Sequence, residues 1–448
     1  MKKGFLKKLL CGAMAAAMAV MPGTLVAADS EETVDLVIWS SAKWKGVFDA
    51  DEEGADYDSF FKEAIRRYQE EHPNVNISVE IIPGDSRDEK LNIALKSNSL
   101  PDIMFESTFT MSSFVYKNAI VSLDDIITEE DRADISEGMW ENCTAEGQVY
   151  CFPFSNQPGT LVYNAKMFRE AGLDDYIGEE YGIATWTLDE FQMILETLKE
   201  KLPNVYPMSL YAKNNQADTW NLAYLRMFGN EFFDENDNLI VNQESGVQAA
   251  QFLKDLYDAG LTVPGAESLS SNDCNAMFIN GQVAISFTNN ILLGTQKDEM
   301  LAMDPEADIR LANIPGENGP LTFTYVTGGM AMNTGDPVRI EAAKDFIKYF
   351  STDPELVVAS KNGLPVRSSV MEQVKEEMPY LEALNANEQY LFDFSRNLPG
   401  YTELRNTLFP EMQALLIGEK TAQEAMDDYV ANGNAVIQEA KENAVAFQ

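Results

Sequence analysis

The sequence predicts an α/β protein whose strands and helices alternate along most of the chain, and three observations carry that expectation. The region from residue 35 to residue 105 reads strand, helix, strand, helix, strand. The stretch 146–191 reads strand, polar loop, strand, capped helix and glycine stop. The composition, 45% hydrophobic and 23% charged over 448 residues, is that of a large globular chain without repeats or low-complexity linkers. A chain of this length divides into two or three domains.

The elements follow in order. Lys2, Lys3, Lys7 and Lys8 precede an apolar run over 12–26 that ends in Val26-Ala27-Ala28, so residues 1–28 read as a secretory signal peptide cut before Asp29. The run holds Pro22 and Gly23 and is short for a membrane span. Cys11 lies ahead of that run and follows Leu10, where a lipid-modified cysteine would follow a small residue, so no anchor through Cys11 is expected. Residues 35–39 form a first strand, and 58–72 a helix with Phe61, Ile65 and Tyr68 on one face. Residues 75–82 are a second strand, 90–97 a helix, and 103–105 a short strand after Pro101-Asp102. This βαβ alternation argues for largely parallel sheets covered by helices. Later helices span 188–201, 216–228, 243–259 and 340–350, and their Met and aromatic residues are expected in cores.

The chain turns around its middle. Glu146-Gly147 is a turn signal, and 148–154 is rich in Val, Tyr and Phe, as a buried strand is. Pro153 lacks the N–H that a central ladder needs, so the strand ends or changes partners there. Residues 160–163 form the next strand, Asn164 caps the helix that follows, and Gly172 stops it. Thr187 with Glu190 three residues later is a capping-box start for another helix.

The pattern of 146–191, G-x-x-Y-x-x-P, then YN, F, AGL and TW-x-x-x-EF, resembles that of extracellular solute-binding proteins of ABC importers, in the maltose-binding-protein-like class that takes up sugars and oligosaccharides. PDIMFES from Pro101, NAMFINGQVAISF from Asn275, TGGMAMN from Thr327, EAAKDFIKYFSTDPE from Glu341 and NGLPVR from Asn362 fit the family in its order. The resemblance implies an α/β, two-lobed, periplasmic-binding-protein-like fold with discontinuous domains and a hinged interlobe cleft. Lobe 1 would hold 29–152 and a return over 326–350, and lobe 2 would hold 153–325 and 351–448. The crossings at 155–159 and 327–329 would then serve as hinges. The implied partners are a sugar or oligosaccharide and the permease subunits of an ABC transporter, with the protein a monomer.

Charge and residue counts exclude much else. A formal net charge of −39 disfavours nucleic acid and anionic membrane surfaces. His72 is the sole histidine and precedes Pro73 in a loop, which removes histidine triads and multi-histidine metal sites. Asp234 to Asn238 has the acidic spacing of a calcium loop, but Leu239 and Ser245 stand where glycine and glutamate are needed, so it reads as a polar turn. No metal site and no cofactor are expected. Beyond the leader the cysteines are Cys143, Cys151 and Cys274. A hairpin centred near Gly147 would set Cys143 against Cys151 as a disulfide, while a one-residue shift in register would turn one of them to the opposite face.

Sugar recognition needs aromatic faces for the apolar side of the ring and planar polar groups for its hydroxyls. Open α/β sheets present such groups just past their strand ends. By alignment with the family pattern the cleft-facing set is Trp39, Ser41, Trp44, Glu106, Ser107, Asn156, Gln157, Trp220, Asn289, Tyr325, Gly328 and Gly329. Trp39, ending an apolar strand, suits a core as well as a cleft. Gly328-Gly329 also suits a backbone turn, and Asn289 a helix cap. The competing class is an exported carbohydrate-active hydrolase with paired carboxylates, but no catalytic pair, nucleophile elbow or metal motif marks this chain.

Overall fold

The structure, a computed structural model, describes residues 33–44, 55–83, 87–97 and 99–444. The expected leader and Cys11 lie outside them. Among the described residues no helix is long and apolar enough to cross a membrane.

The strands in chain order are β1 (Val34–Ser41), β2 (Val75–Ile82), β3 (Ile103–Ser107), β4 (Thr144–Ala145), β5 (Gln148–Val149), β6 (Phe152–Asn156) and β7 (Thr160–Asn164). They continue with β8 (Ile183–Ala184), β9 (Tyr206–Met208), β10 (Val283–Thr288), β11 (Ile309–Ala312), β12 (Val326–Ala331) and β13 (Leu364–Pro365). One sheet runs β13-β6-β12-β3-β1-β2 and a second runs β8-β11-β7-β10-β9. Each carries its own core, so the molecule has two α/β lobes.

The largely parallel expectation holds for only part of each sheet. β1 is parallel to β2 and β3, but β12 runs antiparallel to β3 and β6. In the second sheet β7 runs antiparallel to β10 and β11. The reversed strands are those that follow a crossing. β6 ends at the junction between the lobes, so β7 must begin there and run away from it, against its neighbours. β12 does the same on return.

Local signals explain the junction. Asn164 caps the Ala165–Ala171 helix through its side chain, and Gly172 stops it in the left-handed conformation at φ 75°. Thr187 and Glu190 form the capping box of the Leu188–Lys201 helix. The expected single strand over 148–154 is two, because β4 and β5 close a hairpin before the chain bends into β6. Pro153 lies within β6, at a register shift opposite Thr327 and Gly328 where ladder bonding is interrupted, and β13 pairs only with Ser155 and Asn156 beyond it.

The lobe boundaries differ from those expected. All of β6, to Asn156, belongs to the first sheet, and the return reaches past Phe350 to include β13 and the Ser368–Val374 helix, whose Val370 and Val374 join the first core. The chain then passes back to the second lobe. The expected hinge at 327–329 lies inside β12. The crossing itself is the preceding segment, where Gln157 N–H donates to Tyr325 O at 3.0 Å and Gly159 N–H to Phe323 O at 3.0 Å. A third strand of chain joins this ribbon, Thr324 N–H donating to Phe392 O at 3.1 Å.

Candidate functional site

The C-terminal ends of β1 and β3 aim side chains at the interlobe junction. Glu106, at the end of β3, is 2% exposed and forms the centre of a polar cluster. Its carboxylate accepts from Ser41 Oγ at 2.7 Å, from Lys43 Nζ at 3.0 Å and from the Ser107 backbone N–H at 2.8 Å, and Arg87 Nη1 lies 3.3 Å away. Burial pushes this carboxyl up, but the Lys43 and Arg87 cations with the Ser41 and Ser107 donors outweigh it and hold it at about 2, well below the usual carboxylate range. Lys43 is pulled down from the ordinary lysine value by burial, against the upward pull of Glu106.

Lobe 2 contributes from the facing side. Asn289 accepts from Leu292 N–H as the cap of the Asn290–Met303 helix and donates to Tyr325 Oη at 2.9 Å. Tyr325 is half-buried, its ring 4.9 Å from that of Phe109 on the Thr108–Val115 helix, and its hydroxyl feels the charge of Glu106 and Arg87. Asn156 accepts from the Thr324 hydroxyl. Gln157 donates to Ser155 Oγ at 3.1 Å, while its buried Oε1 has no hydrogen-bond partner among the described residues. Asn290 Nδ2 donates to Gly363 O at 3.2 Å, bonding the lobes directly. Arg405 and Asp218 form a buried bidentate ion pair, with the Arg405 guanidinium 5.4 Å from the Phe109 ring.

Of the expected set, then, Ser41, Glu106, Ser107, Asn156, Gln157, Asn289 and Tyr325 gather at the junction. Trp44 does not. It is fully buried in the lobe 1 core, with ring centroids 5.3–5.7 Å from Phe60, Phe61 and Phe154. Trp220 is 3% exposed, packs on Phe287 and Phe323 at 4.9 Å, and donates its indole N–H to Thr160 O at 2.9 Å, so it braces the start of β7. Trp39 is 8% exposed and counts with the core, its ring covered by Lys90 Nζ at 4.2 Å. Gly328 and Gly329 are packing residues. A Cβ on Gly328 would lie 2.0 Å from Phe152 O, and one on Gly329 would lie 2.9 Å from Ile347 Cγ2.

Lys43, Arg87, Phe109 and Arg405 escape the sequence reading, whereas Asn290, which follows AISF beside Asn289, is among the positions the family pattern places at the cleft. For Lys43 a signal existed. With a period of two, Ser41 and Lys43 share a face while Trp44 takes the other. Arg87 and Arg405 come from distant helices and carry no local mark. Asp234 to Asn238 is the polar turn expected, Asp234 Oδ1 accepting from the N–H groups of Asn236 and Asn238. Among the described residues no group of acidic, His or Cys side chains could hold a metal.

Similarity to known proteins agrees with this architecture. A binding protein of Brucella abortus is 23% identical over 383 residues, 84% of this chain and 90% of its own length. The arabinooligosaccharide-binding protein of Halalkalibacterium halodurans is 23% identical over 338 residues, 73% of this chain and 69% of its own. Among solved structures, the GacH receptor of Streptomyces glaucescens, crystallised unliganded and with acarbose, superposes with a TM-score of 0.74 at 19% identity, over 91% of this chain and 100% of the receptor. Residues 51–355, more than half of the sequence, match the bacterial extracellular solute-binding protein family, and the chain belongs to it.

Proposed function

We propose that this protein is an exported, monomeric binding protein that captures an oligosaccharide between its lobes and hands it to an ABC permease. The observation that carries the reading is the Glu106 cluster, a carboxylate with cationic, hydroxyl and amide donors gathered at strand ends opposite Asn289 and Tyr325. Such groups exchange their mutual hydrogen bonds for those of sugar hydroxyls, and the half-buried ring of Tyr325, backed by Phe109, offers an apolar face beside them. The ligands in the names of two relatives, arabinooligosaccharide and maltotriose, set the two oligosaccharide series to test first. A ligand gripped by both lobes shifts the population toward the closed state. The protein carries no hydrolytic role in this reading, and attachment to lipid through Cys11 is not part of it.

Titration calorimetry with both oligosaccharide series, paired with small-angle scattering, tests the proposal. Saturable binding with a smaller radius of gyration is expected, and no release of reducing ends on prolonged incubation. Absence of heat across both series, or an unchanged scattering profile at saturation, overturns it.

A further inference from the structure

A further tie between the lobes lies just past the crossing ribbon. Leu398, Tyr401 and Leu404 pack in the second core, yet the side chain of Asn397 reaches into lobe 1. Its Nδ2 donates to Thr144 O at 2.8 Å, Asn142 O at 3.2 Å and Glu141 O at 3.3 Å. Glu141 and Asn142 end the Glu137–Asn142 helix, and the carbonyls of a last turn have no partner within their helix. One lobe therefore caps a helix of the other. The gripped carbonyls flank Cys143, which with Cys151 is a buried free thiol and not half of the disulfide expected. The hairpin pairs Thr144 with Val149, so Cys143 stands opposite Tyr150, whose N–H donates to Cys143 O at 3.0 Å.

This grip is held at a cost. Arg396 and Asn397 are consecutive residues at positive φ, 41° and 49°, a conformation disfavoured for side chains with a Cβ and tolerated best by Asn and Asp. Asn397 Oδ1 is buried with no hydrogen-bond partner among the described residues. The turn is set up from behind, Asp393 Oδ1 accepting from Ser395 N–H at 2.8 Å and from its hydroxyl at 2.7 Å, and Ser395 Oγ accepting from Asn397 N–H at 3.3 Å. Strain of this kind persists where its surroundings over-determine it, and it clusters at ligand clamps and switch regions.

The residues after Asn397 lead to the Glu106 cluster. The Tyr401–Leu404 helix lies on the Thr108–Val115 helix, which begins two residues after Glu106. Ser113 Oγ donates to Thr402 Oγ1 at 2.8 Å, and Lys117 Nζ pairs with Glu403 at 3.0 Å. Phe109, a residue of lobe 1, packs in the second core with its ring 5.6 Å from that of Tyr401. One short stretch of lobe 2, 397–405, thus holds lobe 1 both behind the crossing and beside the cluster.

We infer that Asn397 is a positioning residue for ligand capture, its grip on the carbonyls of Glu141, Asn142 and Thr144 holding the lobes in the apposed arrangement that sets the Glu106 cluster opposite Asn289 and Tyr325. The inference rests on the oligosaccharide-binding reading. A ligand gripped by both lobes needs them apposed, so whatever populates that arrangement beforehand raises the apparent affinity. Asn397 acts through the angle between the lobes, without touching the ligand.

Two variants test it. Asn397→Gly keeps the backbone conformation and removes the amide, and Asn397→Asp keeps the shape but turns an acceptor toward the three carbonyls. Small-angle scattering without ligand should give both a larger radius of gyration than the natural chain, converging on the natural value at saturation with maltotriose or arabinooligosaccharide. Calorimetry with the same sugars should show affinity about three- to tenfold weaker, because a competent state populated to a smaller fraction lowers apparent affinity by that fraction. A purely local role would lower the melting temperature and leave radius and affinity unmoved. A ligand-free radius identical in all three proteins, or an affinity unchanged or raised in the variants, overturns the inference. Failure of the natural chain to bind either sugar overturns the oligosaccharide reading instead, and the ligand-free radius then decides whether Asn397 sets the lobe arrangement.

Discussion

Two buried charge clusters face the interlobe junction, and they are built differently. In lobe 2, Asp218 and Arg405 make a closed pair, 0% and 6% exposed, with bidentate bonds of 2.6 and 2.9 Å and a further bond from Arg405 to Asn215 O. In lobe 1, Glu106 shares its carboxylate among Ser41 at the end of β1, Lys43 just past it, Arg87 at the start of the Arg87–Ser97 helix and the adjacent Ser107 amide. A bidentate pair with both ions enclosed has one good arrangement. A carboxylate that divides its oxygens among four donors can give up one of them to a ligand hydroxyl and keep the rest. The first cluster holds a lobe together, and the second is suited to trading partners with a ligand.

The contrast is broken or sharpened most strongly by Asp218→Ala, which strands the Arg405 charge in the interior. Denaturant unfolding should show a loss of about 3–5 kcal/mol. A loss under about 1 kcal/mol, the range of exposed ion pairs, would place Asp218 and Arg405 with the exchangeable groups instead.

Trp44→Ala and Trp220→Ala should each cost about 3–5 kcal/mol through the cavity left in a packed aromatic core. Both belong with the closed pair as structural members, so the unliganded melting temperature carries the effect. A variant that melts normally but loses sugar affinity would return its tryptophan to the cleft.

Glu106→Gln is the smaller change and should appear in binding. An oligosaccharide bound at this cluster should lose about 2 kcal/mol, over tenfold in affinity. The pH profile sharpens the same point. The folded carboxyl titrates at about 2, below the usual value of 4.5, so its contribution to stability is complete above the usual value and is lost as pH falls from there toward about 2. Glu106→Gln should flatten that part of the acid stability curve, and an identical acid limb in both proteins would show that the cluster does not hold the charge.

Legibility followed the range of the interactions. Caps at Asn164 and Thr187, the stop at Gly172 and the polar turn at Asp234 are local hydrogen-bond devices, and each is visible in a few consecutive residues. Trp44 misleads because its neighbours Lys43 and Lys45 are polar, whereas the groups that bury it, Phe60, Phe61, Phe154 and Phe350, are brought together only by the fold. Gly328 and Gly329 look like a hinge in one dimension. In three they are where β12 passes the Phe152 carbonyl and the Ile347 side chain too closely for a Cβ. Glu106 was legible because strand ends in α/β sheets are where polar groups converge, but its cationic partners arrive from the loop after β1 and from the Arg87–Ser97 helix.

The position of β12 between β6 and β3 has a consequence for how the molecule comes into being. Ser107 finds its neighbour only in Thr327, and Ser155 finds the same residue on the other side, so the middle of the first sheet stays open until most of the chain is present. The second lobe waits as well, because the Leu408–Leu416 and Ala422–Glu442 helices that cover it are the last described elements. Neither half can finish alone as the chain emerges. Loop closure over such separations is slow, and the exposed edges of β3 and β6 invite wrong pairing while it lasts. Assembly of this protein is therefore a late event, the first lobe waiting for its central strand and the second for its last two helices.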